Sequence, residues 1–139
     1  MPNDCDCSPS YLAKHGYPET IQDLSEHHTI SYRYIKNPMQ WVFKQSKQAE
    51  KTVTVKSQVL TNSAEMELAL CESGVGITRL PSFYLDDQIK TGKVVALFEE
   101  YDDTNVGVYL VYPSRKYMSA KVRCFIDYID QKLGDKVHV

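Results

Sequence analysis

Along the middle of the chain, segments whose apolar residues are typical of a strand alternate with segments whose apolar residues have helical spacing. Residues 52–60, 75–80 and 94–98 predict strands, the first rich in β-branched side chains and the last a continuous apolar run. Between them, residues 63–72 and 81–92 carry apolar side chains at helical spacing, and a glycine ends each segment. The order strand, helix, strand, helix, strand predicts a parallel sheet with right-handed crossover helices.

The same pattern predicts where the first helix begins and which side chains face the core. Asn62, with Glu65 three residues later, forms a capping-box pattern, so the helix is expected to start at about residue 63. The residues predicted to face inward on the preceding strand and on this helix are Val53, Val55, Val59, Met66, Ala69 and Leu70.

Shorter elements precede this alternating region. Residues 11–25 predict two short helical pieces around a turn at residues 16–18. Residues 28–34 alternate between apolar and polar side chains, which predicts a half-buried strand. On that strand one side is predicted to carry Ile30, Tyr32 and Tyr34, and the other Thr29, Ser31 and Arg33.

Residues 41–44 predict a short aromatic strand. Its Trp41, together with Met39 and Phe43, either lines an apolar pocket or anchors the hydrophobic core. Of these two roles, the core role is favoured for Trp41 itself.

The last third of the chain predicts one further strand and one helix. Residues 106–112 form an apolar run, and Ser119 is placed to cap the helix. An apolar stripe at the i, i+3, i+4, i+7 spacing follows, comprising Val122, Phe125, Ile126, Ile129 and Leu133.

Composition narrows the class of protein. The 139 residues suit one compact domain, or one lobe of a two-lobed domain. The formal net charge of -2 provides no excess positive charge for nucleic acid or for an acidic membrane surface. No apolar run approaches the ~20 residues of a membrane helix, and the polar N-terminus does not form a secretory signal. We therefore expect a cytoplasmic protein with reduced cysteines and no membrane partner.

Polar residues at two strand ends are the main candidates for ligand contacts, because ligands of open α/β sheets bind beyond the carboxyl ends of the strands. Asn62 and Ser63 lie where a strand leads into a helix, whose free N–H groups and positive dipole end favour an anion. Helix capping alone is the more frequent role of such residues. Ser31, Arg33 and Tyr34 end another strand, where Arg33 either pairs with a ligand carboxylate or is a solvated strand residue.

Enzyme and metal chemistry receive little support from the sequence. Cys5 and Cys7 lack a second CxxC or HxxxH partner, and the adjacent His27 and His28 point to opposite sides of an extended chain. There is no G-x-S-x-G elbow, no P-loop and no complete dinucleotide fingerprint. We therefore expect no catalytic residue, no metal and no cofactor.

Five segments carry motifs of one known family. In chain order, residues 7–27, 41–43, 74–81, 92–97 and 111–128 resemble the patterns SPxYLxxxGxPxxxxDLxxH, WxF, GxGIxxLP, GxLVxLL and VYPxxRxxSxKVRxFIDF. In their order and spacing they resemble the LysR-type transcriptional regulators. Each motif alone is only weakly specific for the family, but together they cover nearly the whole chain.

The resemblance implies an α/β fold of the type 2 periplasmic-binding-protein-like class, in which two lobes close around an effector. The chain resembles the second lobe, with a mixed, mostly parallel sheet flanked by helices and a C-terminal helix. Residues 1–113 would form the second regulatory subdomain, with hinge strands near residues 4–8 and 108–112, and residues 114–139 would form the helix that packs on a first subdomain. The candidate effector contacts then comprise Ser31, Arg33, Tyr34, Asn62, Ser63, Tyr112 and Pro113.

The function implied by the resemblance is the sensing of a small molecule to control transcription. The anion-favouring helix start at Asn62 points to a carboxylate. No helix-turn-helix and no first lobe are recognised in the sequence, so DNA binding is expected only through a missing N-terminal domain. The alternatives are a solute-binding lobe of a transport protein, or a truncated dimerisation or interaction module. We expect the apolar stripe of the final helix to fold onto this lobe, swap into a neighbour or mediate a homo-oligomer.

Overall fold

The computed structural model describes residues 3–101 and 119–133. These residues belong to two compact units, the first within residues 2–105 and the second within residues 106–139. The longer described segment contains the sheets and the buried core, whereas the shorter one contains one helix.

Residues 3–101 alternate between short strands and short helices. The strands are β1 (Asn3–Cys7), β2 (Thr29–Tyr32), β3 (Gln40–Phe43), β4 (Lys51–Thr54), β5 (Ser57–Thr61), β6 (Thr78–Pro81) and β7 (Val95–Leu97). The α-helices are α1 (Pro9–His15), α2 (Ala64–Glu72) and α3 (Asp86–Lys90), and 3-10 helices occupy Ile21–Glu26, Ser82–Tyr84 and Glu99–Tyr101. The two short helical pieces predicted around residues 16–18 are therefore confirmed.

Strand β1 is the centre of an antiparallel ladder in the order β6-β1-β7, and β2 pairs with β5 in parallel. Two backbone hydrogen bonds join β2 to the segment entering β6: Ile30 N donates to Ile77 O at 2.8 Å, and Ile77 N donates to His28 O at 2.9 Å. That bridge is parallel. Strands β5, β2, β6 and β7 therefore run in one direction against β1, which confirms the predicted mixed, mostly parallel sheet.

Strands β3 and β4 form a separate antiparallel pair. The prediction of one strand over residues 52–60 is wrong, because Val55 and Lys56 separate β4 from β5. The physical reason is a change of partner: β4 pairs with β3, whereas β5 pairs with β2. At the change-over, Val55 N donates to Met39 O at 2.8 Å and so satisfies a buried backbone donor.

Helix α2 starts one residue later than the capping-box pattern predicted. Its N-cap is Ser63, whose backbone is extended and whose Oγ accepts a hydrogen bond from Met66 N at 3.2 Å. Asn62 therefore does not cap the helix, and the predicted pairing with Glu65 is wrong. A serine immediately before the first helical residue reaches this N–H with its short side chain, so the helix needs no cap further upstream.

The buried face of α2 also differs from the predicted one. Glu67 and Cys71, one turn apart, are buried, whereas Met66 is 51% exposed and Ala69 is exposed. Of the three residues predicted to face inward, only Leu70 is partly buried, against the core cluster around α2. The pattern failed here because it assigns every charged side chain to the solvent side, and Glu67 lies inside.

Strand β2 is buried on both faces and not half-buried as predicted. Residues 29–31 are all buried, while Tyr34 lies in the turn beyond the end of the strand and is exposed. One face of the strand packs Ile30 into the core cluster around α2, and on the other Ser31 accepts a hydrogen bond from the indole of Trp41. Because α2 and the β3 strand cover opposite faces, the polar residues of β2 are enclosed as well.

The buried core consists of two clusters. The larger joins α1, β1 and the β3–β4 pair, and it contains Trp41, Phe43, Val53 and Val55 among its members. The smaller lies between α2, β2 and the strand β6 region, and Val59 packs against it. The inward orientation predicted for the three valines is therefore confirmed.

Residues 119–133 contain helix α4 (Ala120–Leu133), as predicted, and Ser119 Oγ accepts a hydrogen bond from Val122 N at 3.3 Å. Along its stripe Val122 and Phe125 are exposed, while Ile126 and Ile129 are partly buried. What covers this stripe in solution stays a prediction. Within the described residues, no helix has the length and apolarity needed to span a bilayer.

Several predictions fall on residues 102–118, which lie outside the described parts of the chain. They are the strand at residues 106–112, the second hinge strand at residues 108–112, and the candidate contacts Tyr112 and Pro113.

Candidate ligand-binding site

A cavity of about 100 Å³ lies at the carboxyl end of strand β2. Its lining comes from β2 and the following turn, from β3, from α2 and from β6. The lining residues are Ile30, Ser31, Tyr32, Ile35, Gln40, Trp41, Glu67 and Arg79. Apolar and aromatic surface is combined with a few convergent polar groups, which is the usual composition of a small-ligand site.

A chain of hydroxyl groups holds one wall of the cavity in place. Trp41 Nε1 donates to Ser31 Oγ at 3.1 Å, and Ser31 Oγ contacts Ser57 Oγ at 2.5 Å. Ser57 Oγ in turn contacts Thr29 Oγ1 at 3.0 Å. This network ties the indole of β3 to the ends of β2 and β5, so it fixes this wall of the cavity.

Arg79 supplies the positive charge of the cavity wall. Its Nη1 donates to Val42 O at 2.9 Å, and its guanidinium carbon lies 4.5 Å from the Phe43 ring centroid and 5.9 Å from that of Trp41. Burial lowers the pKa of Arg79, and the neighbouring Cys5 opposes that shift. The guanidinium stays charged at physiological pH, because its intrinsic proton affinity is so high.

Glu67 supplies a carboxyl group on the opposing helix. Its side chain is 2% exposed, and Thr78 Oγ1 donates to its Oε1 over a long 3.4 Å. Burial raises the pKa of Glu67 from 4.5 to about 7, because the charged form loses hydration, and the threonine hydroxyl offsets only part of that shift. Near neutral pH both the protonated and the ionised form of this carboxyl are therefore populated.

The candidate contacts predicted from the sequence fall into two groups. Ser31 lines the cavity directly. Arg33 and Tyr34 lie in the turn that follows β2, with exposed side chains, and Arg33 N donates to Thr61 O at 2.8 Å. The ring of Tyr34 meets that of Tyr32 edge-on at 6.1 Å between centroids.

Asn62 and Ser63 lie at the neighbouring strand end. Tyr32 is in register with Thr61, so the start of α2 follows directly on the strand beside β2. Ser63 Oγ is used as the helix cap, and Asn62 is exposed. The structure thus brings both predicted strand ends to one edge of the sheet, with Ser31 in the cavity lining.

Sequence reasoning missed the two charged members of the lining. Arg79 stands inside the apolar segment between Ile77 and Leu80, and Glu67 stands four residues before the buried Cys71. A charge within a run that otherwise predicts burial is the signal that could have found both. Trp41 fills both roles that the sequence left open, since it is 3% exposed in the core and also lines the cavity.

Within residues 3–101 and 119–133, no three histidine, cysteine, aspartate or glutamate side chains are grouped so that they could hold a metal ion. Tyr11 Oη contacts His27 Nδ1 at 2.7 Å and accepts a hydrogen bond from His28 N at 3.1 Å. Cys5 and Cys7 are free and buried, and burial raises the pKa of Cys7 to about 12. A thiol with such a pKa is unreactive at neutral pH.

Comparison with known proteins identifies the domain. The LysR substrate binding domain family matches residues 5–134. The chain belongs to this family. An HTH-type transcriptional regulator of Haemophilus influenzae is 31% identical to this LysR domain over 115 residues, which cover 83% of the chain and 40% of the relative. The HTH-type transcriptional regulator PtxR of Pseudomonas aeruginosa is 32% identical over 129 residues, covering 91% of the chain and 40% of the relative.

Solved structures carry the same fold. The regulatory domain of CrgA, a LysR-type transcriptional regulator from Neisseria meningitidis, matches this LysR domain with a TM-score of 0.80 at 27% identity. That match covers 96% of the chain and 65% of the CrgA domain. The predicted family, the periplasmic-binding-protein-like fold and the assignment as an effector-binding domain are confirmed. The family consists of transcriptional regulators and not of enzymes, and the chain spans about 40% of the length of the curated relatives.

Proposed function

We propose that this chain binds a small-molecule effector in the cavity at the end of β2 and so takes part in the control of transcription. The observation that supports the proposal is the cavity itself, since it joins Trp41, Ser31, Glu67 and Arg79 in one small volume. A preformed cleft with a few fixed polar groups is suited to selecting one small ligand. Members of the family bind small-molecule effectors and form oligomers.

The proposed effector contacts come from four segments of the chain: β2, the turn after it, the start of α2, and residues 112–113. Ser31 contributes a buried hydroxyl to the cavity. The exposed turn after β2 and the start of α2 offer side chains at the same edge of the sheet. Besides Ser31, the proposed contacts are Arg33, Tyr34, Asn62, Ser63, Tyr112 and Pro113.

The proposed organisation follows that of the family. Residues 1–113 act as the second regulatory subdomain with its hinge strands, and residues 114–139 form the helical segment that packs on a first subdomain. A chain with a net charge of -2 has no excess of cations for phosphate. We therefore assign DNA contact to the helix-turn-helix part of such regulators. The proposed setting is the cytoplasm, without a membrane partner and without enzyme activity.

We also propose that, in the 139-residue chain by itself, a second copy covers the exposed stripe of α4, which a first subdomain would cover in the two-lobed arrangement of the family. Phe125 is 56% exposed and Tyr128 is 55% exposed, and aromatic groups on one helix face are unusual when left in water. The family forms oligomers, which favours a second copy as the occupant.

Trp41 offers a direct test of effector binding, because it is the only tryptophan of the chain and it lines the cavity. In a 15N-labelled sample its indole N–H gives a single resonance, which a bound ligand should shift in a saturable way. Ser31→Ala should weaken that binding, whereas Tyr17→Phe, at a side chain that is 67% exposed, should leave it unchanged. The proposal fails if no compound of a broad metabolite panel shifts the indole resonance of the folded chain.

A further inference from the structure

We propose that the cavity binds a small carboxylate together with one proton, which Glu67 takes up on binding. This inference rests on the proposed function, since it specifies the class of effector and its regulation by pH. It starts from the arrangement of one guanidinium and one buried carboxyl around the same small cavity.

The permanent charge of the cavity wall favours an anion. The guanidinium of Arg79 is held by its hydrogen bond to Val42 O and by the Phe43 ring, so its position is set before a ligand arrives. A cationic ligand would face this fixed positive charge in a site with little water, where like charges repel strongly. A carboxylate would instead gain a charge-assisted interaction with the same group.

The protonation state of Glu67 then determines whether its carboxyl repels the anion or binds it. As a carboxylate it would repel a ligand carboxylate across a cavity of about 100 Å³. As a neutral acid it would donate a short O–H···O hydrogen bond to the ligand. Within the described residues the Glu67 carboxyl receives one hydrogen bond, from Thr78 at 3.4 Å, so little holds it in the charged form.

Other ionisable residues lie on the strands packed against α2. The strands that contact α2 are β1, β2, β5 and β6. Of these, β1 carries two aspartates and two cysteines, β2 carries Tyr32, β6 carries Arg79 and β5 carries no ionisable residue. Tyr32 and Arg79 line the cavity together with Glu67, and the Arg79 guanidinium packs on the β3 side against Phe43. Cys71 follows one turn later on α2 itself and is buried. Burial, and not a neighbouring charge, is the main cause that raises the pKa of Glu67 to about 7. The threshold for proton uptake therefore lies within the physiological range.

Coupled proton uptake predicts the direction in which ligand affinity changes with pH. If only the protonated form of Glu67 accepts the carboxylate, affinity is constant below the pKa of about 7. Above that pKa the dissociation constant should rise by up to about tenfold per pH unit. A ligand that instead required ionised Glu67 would show the opposite slope.

The test uses propionate and pyruvate as probes, with propionamide and propylammonium as matched neutral and cationic compounds. Binding to the 139-residue chain is followed through the Trp41 indole resonance between about pH 6 and about pH 8.5, the range that brackets the Glu67 threshold. We expect the carboxylates to bind, with affinity falling roughly tenfold per pH unit at the upper end. Glu67→Gln should keep the affinity of the acidic form and lose the pH dependence, because an amide N–H replaces the acid O–H. Glu65→Gln, at an exposed position of the same helix, should behave as the unmodified chain.

Other outcomes overturn the inference. A flat or rising affinity with pH in the unmodified chain, or preferential binding of propylammonium, contradicts the coupled uptake of a carboxylate and a proton. If neither carboxylate shifts the Trp41 resonance but another compound of the broad metabolite panel does, the carboxylate inference fails while the proposed effector site stands. If Glu67→Gln does not fold, calorimetry of the unmodified chain at about pH 8 in two buffers of different ionisation enthalpy counts the protons taken up, and a value near zero refutes the inference.

Discussion

Glu67→Gln should make the stability of the unliganded chain less dependent on pH. The pKa of this carboxyl is about 7 in the folded chain against 4.5 in its ordinary state, so folding strengthens proton binding. Its contribution to stability is therefore fully present below pH 4.5 and is lost as the pH rises to about 7. At about 1.4 kcal/mol per unit of pKa, that loss has an upper limit of about 3.5 kcal/mol. Because the effective dielectric constant around buried protein groups is higher than that of a dry interior, we expect about 1 to 2 kcal/mol.

The measurement is the free energy of unfolding in urea, followed by Trp41 fluorescence at several values between about pH 5 and about pH 8. The difference between the unmodified chain and Glu67→Gln isolates this one carboxyl, since all other groups titrate alike in both. That difference should shift in favour of the glutamine variant as the pH rises and level off above about pH 7. Glu65→Gln, exposed on the same helix, should give a difference that does not change with pH. A constant difference for Glu67→Gln, or one that shifts towards the unmodified chain, would refute the reasoning.

Three further predictions concern the cap of α2, the wall of the cavity and the stripe of α4. Ser63→Ala should lower the free energy of unfolding by about 1 kcal/mol and Asn62→Ala by less than about 0.5 kcal/mol; equal losses in urea would contradict the assignment of the cap. Trp41→Phe should cost about 1 to 3 kcal/mol in thermal unfolding, because Ser31 loses its donor and the core loses volume; an unchanged midpoint would argue against that contact. Phe125→Glu should abolish self-association in sedimentation velocity, and a variant that still associates would show that this stripe is not the interface.

The alternation of strands and helices predicted the parallel strands of an α/β fold, whereas the periplasmic-binding-protein-like class was implied by the resemblance to the LysR-type regulators. What the pattern could not predict is the partner of each strand. Residues 52–60 form one continuous β-favouring run, yet the chain changes ladder at Val55 and Lys56. A local pattern measures the tendency to be extended and carries no information on which neighbour receives the hydrogen bonds.

The orientation of α2 failed for a different reason. Hydrophobic periodicity places Met66 inside and Glu67 outside, and the structure has the reverse. Burial of a carboxyl is unfavourable unless it is neutralised or hydrogen-bonded, so a sequence rule that ignores tertiary partners has to place it in water. The partner that permits burial is Thr78, eleven residues further along the chain on β6.

The edge of the sheet could be predicted, because the carboxyl ends of the strands identify it, and Ser31 lies there. Glu67 and Arg79 are brought to that edge only by tertiary packing of α2 and β6. For a fold selected on stability alone, an uncharged residue at either position would avoid the cost of desolvating a charge. Two ionisable groups around one cavity, one of them a carboxyl with a pKa of about 7, are instead typical of a site that exchanges protons or binds a charged ligand. The residues that contradict the hydrophobic pattern are therefore the ones that support the functional proposal most directly.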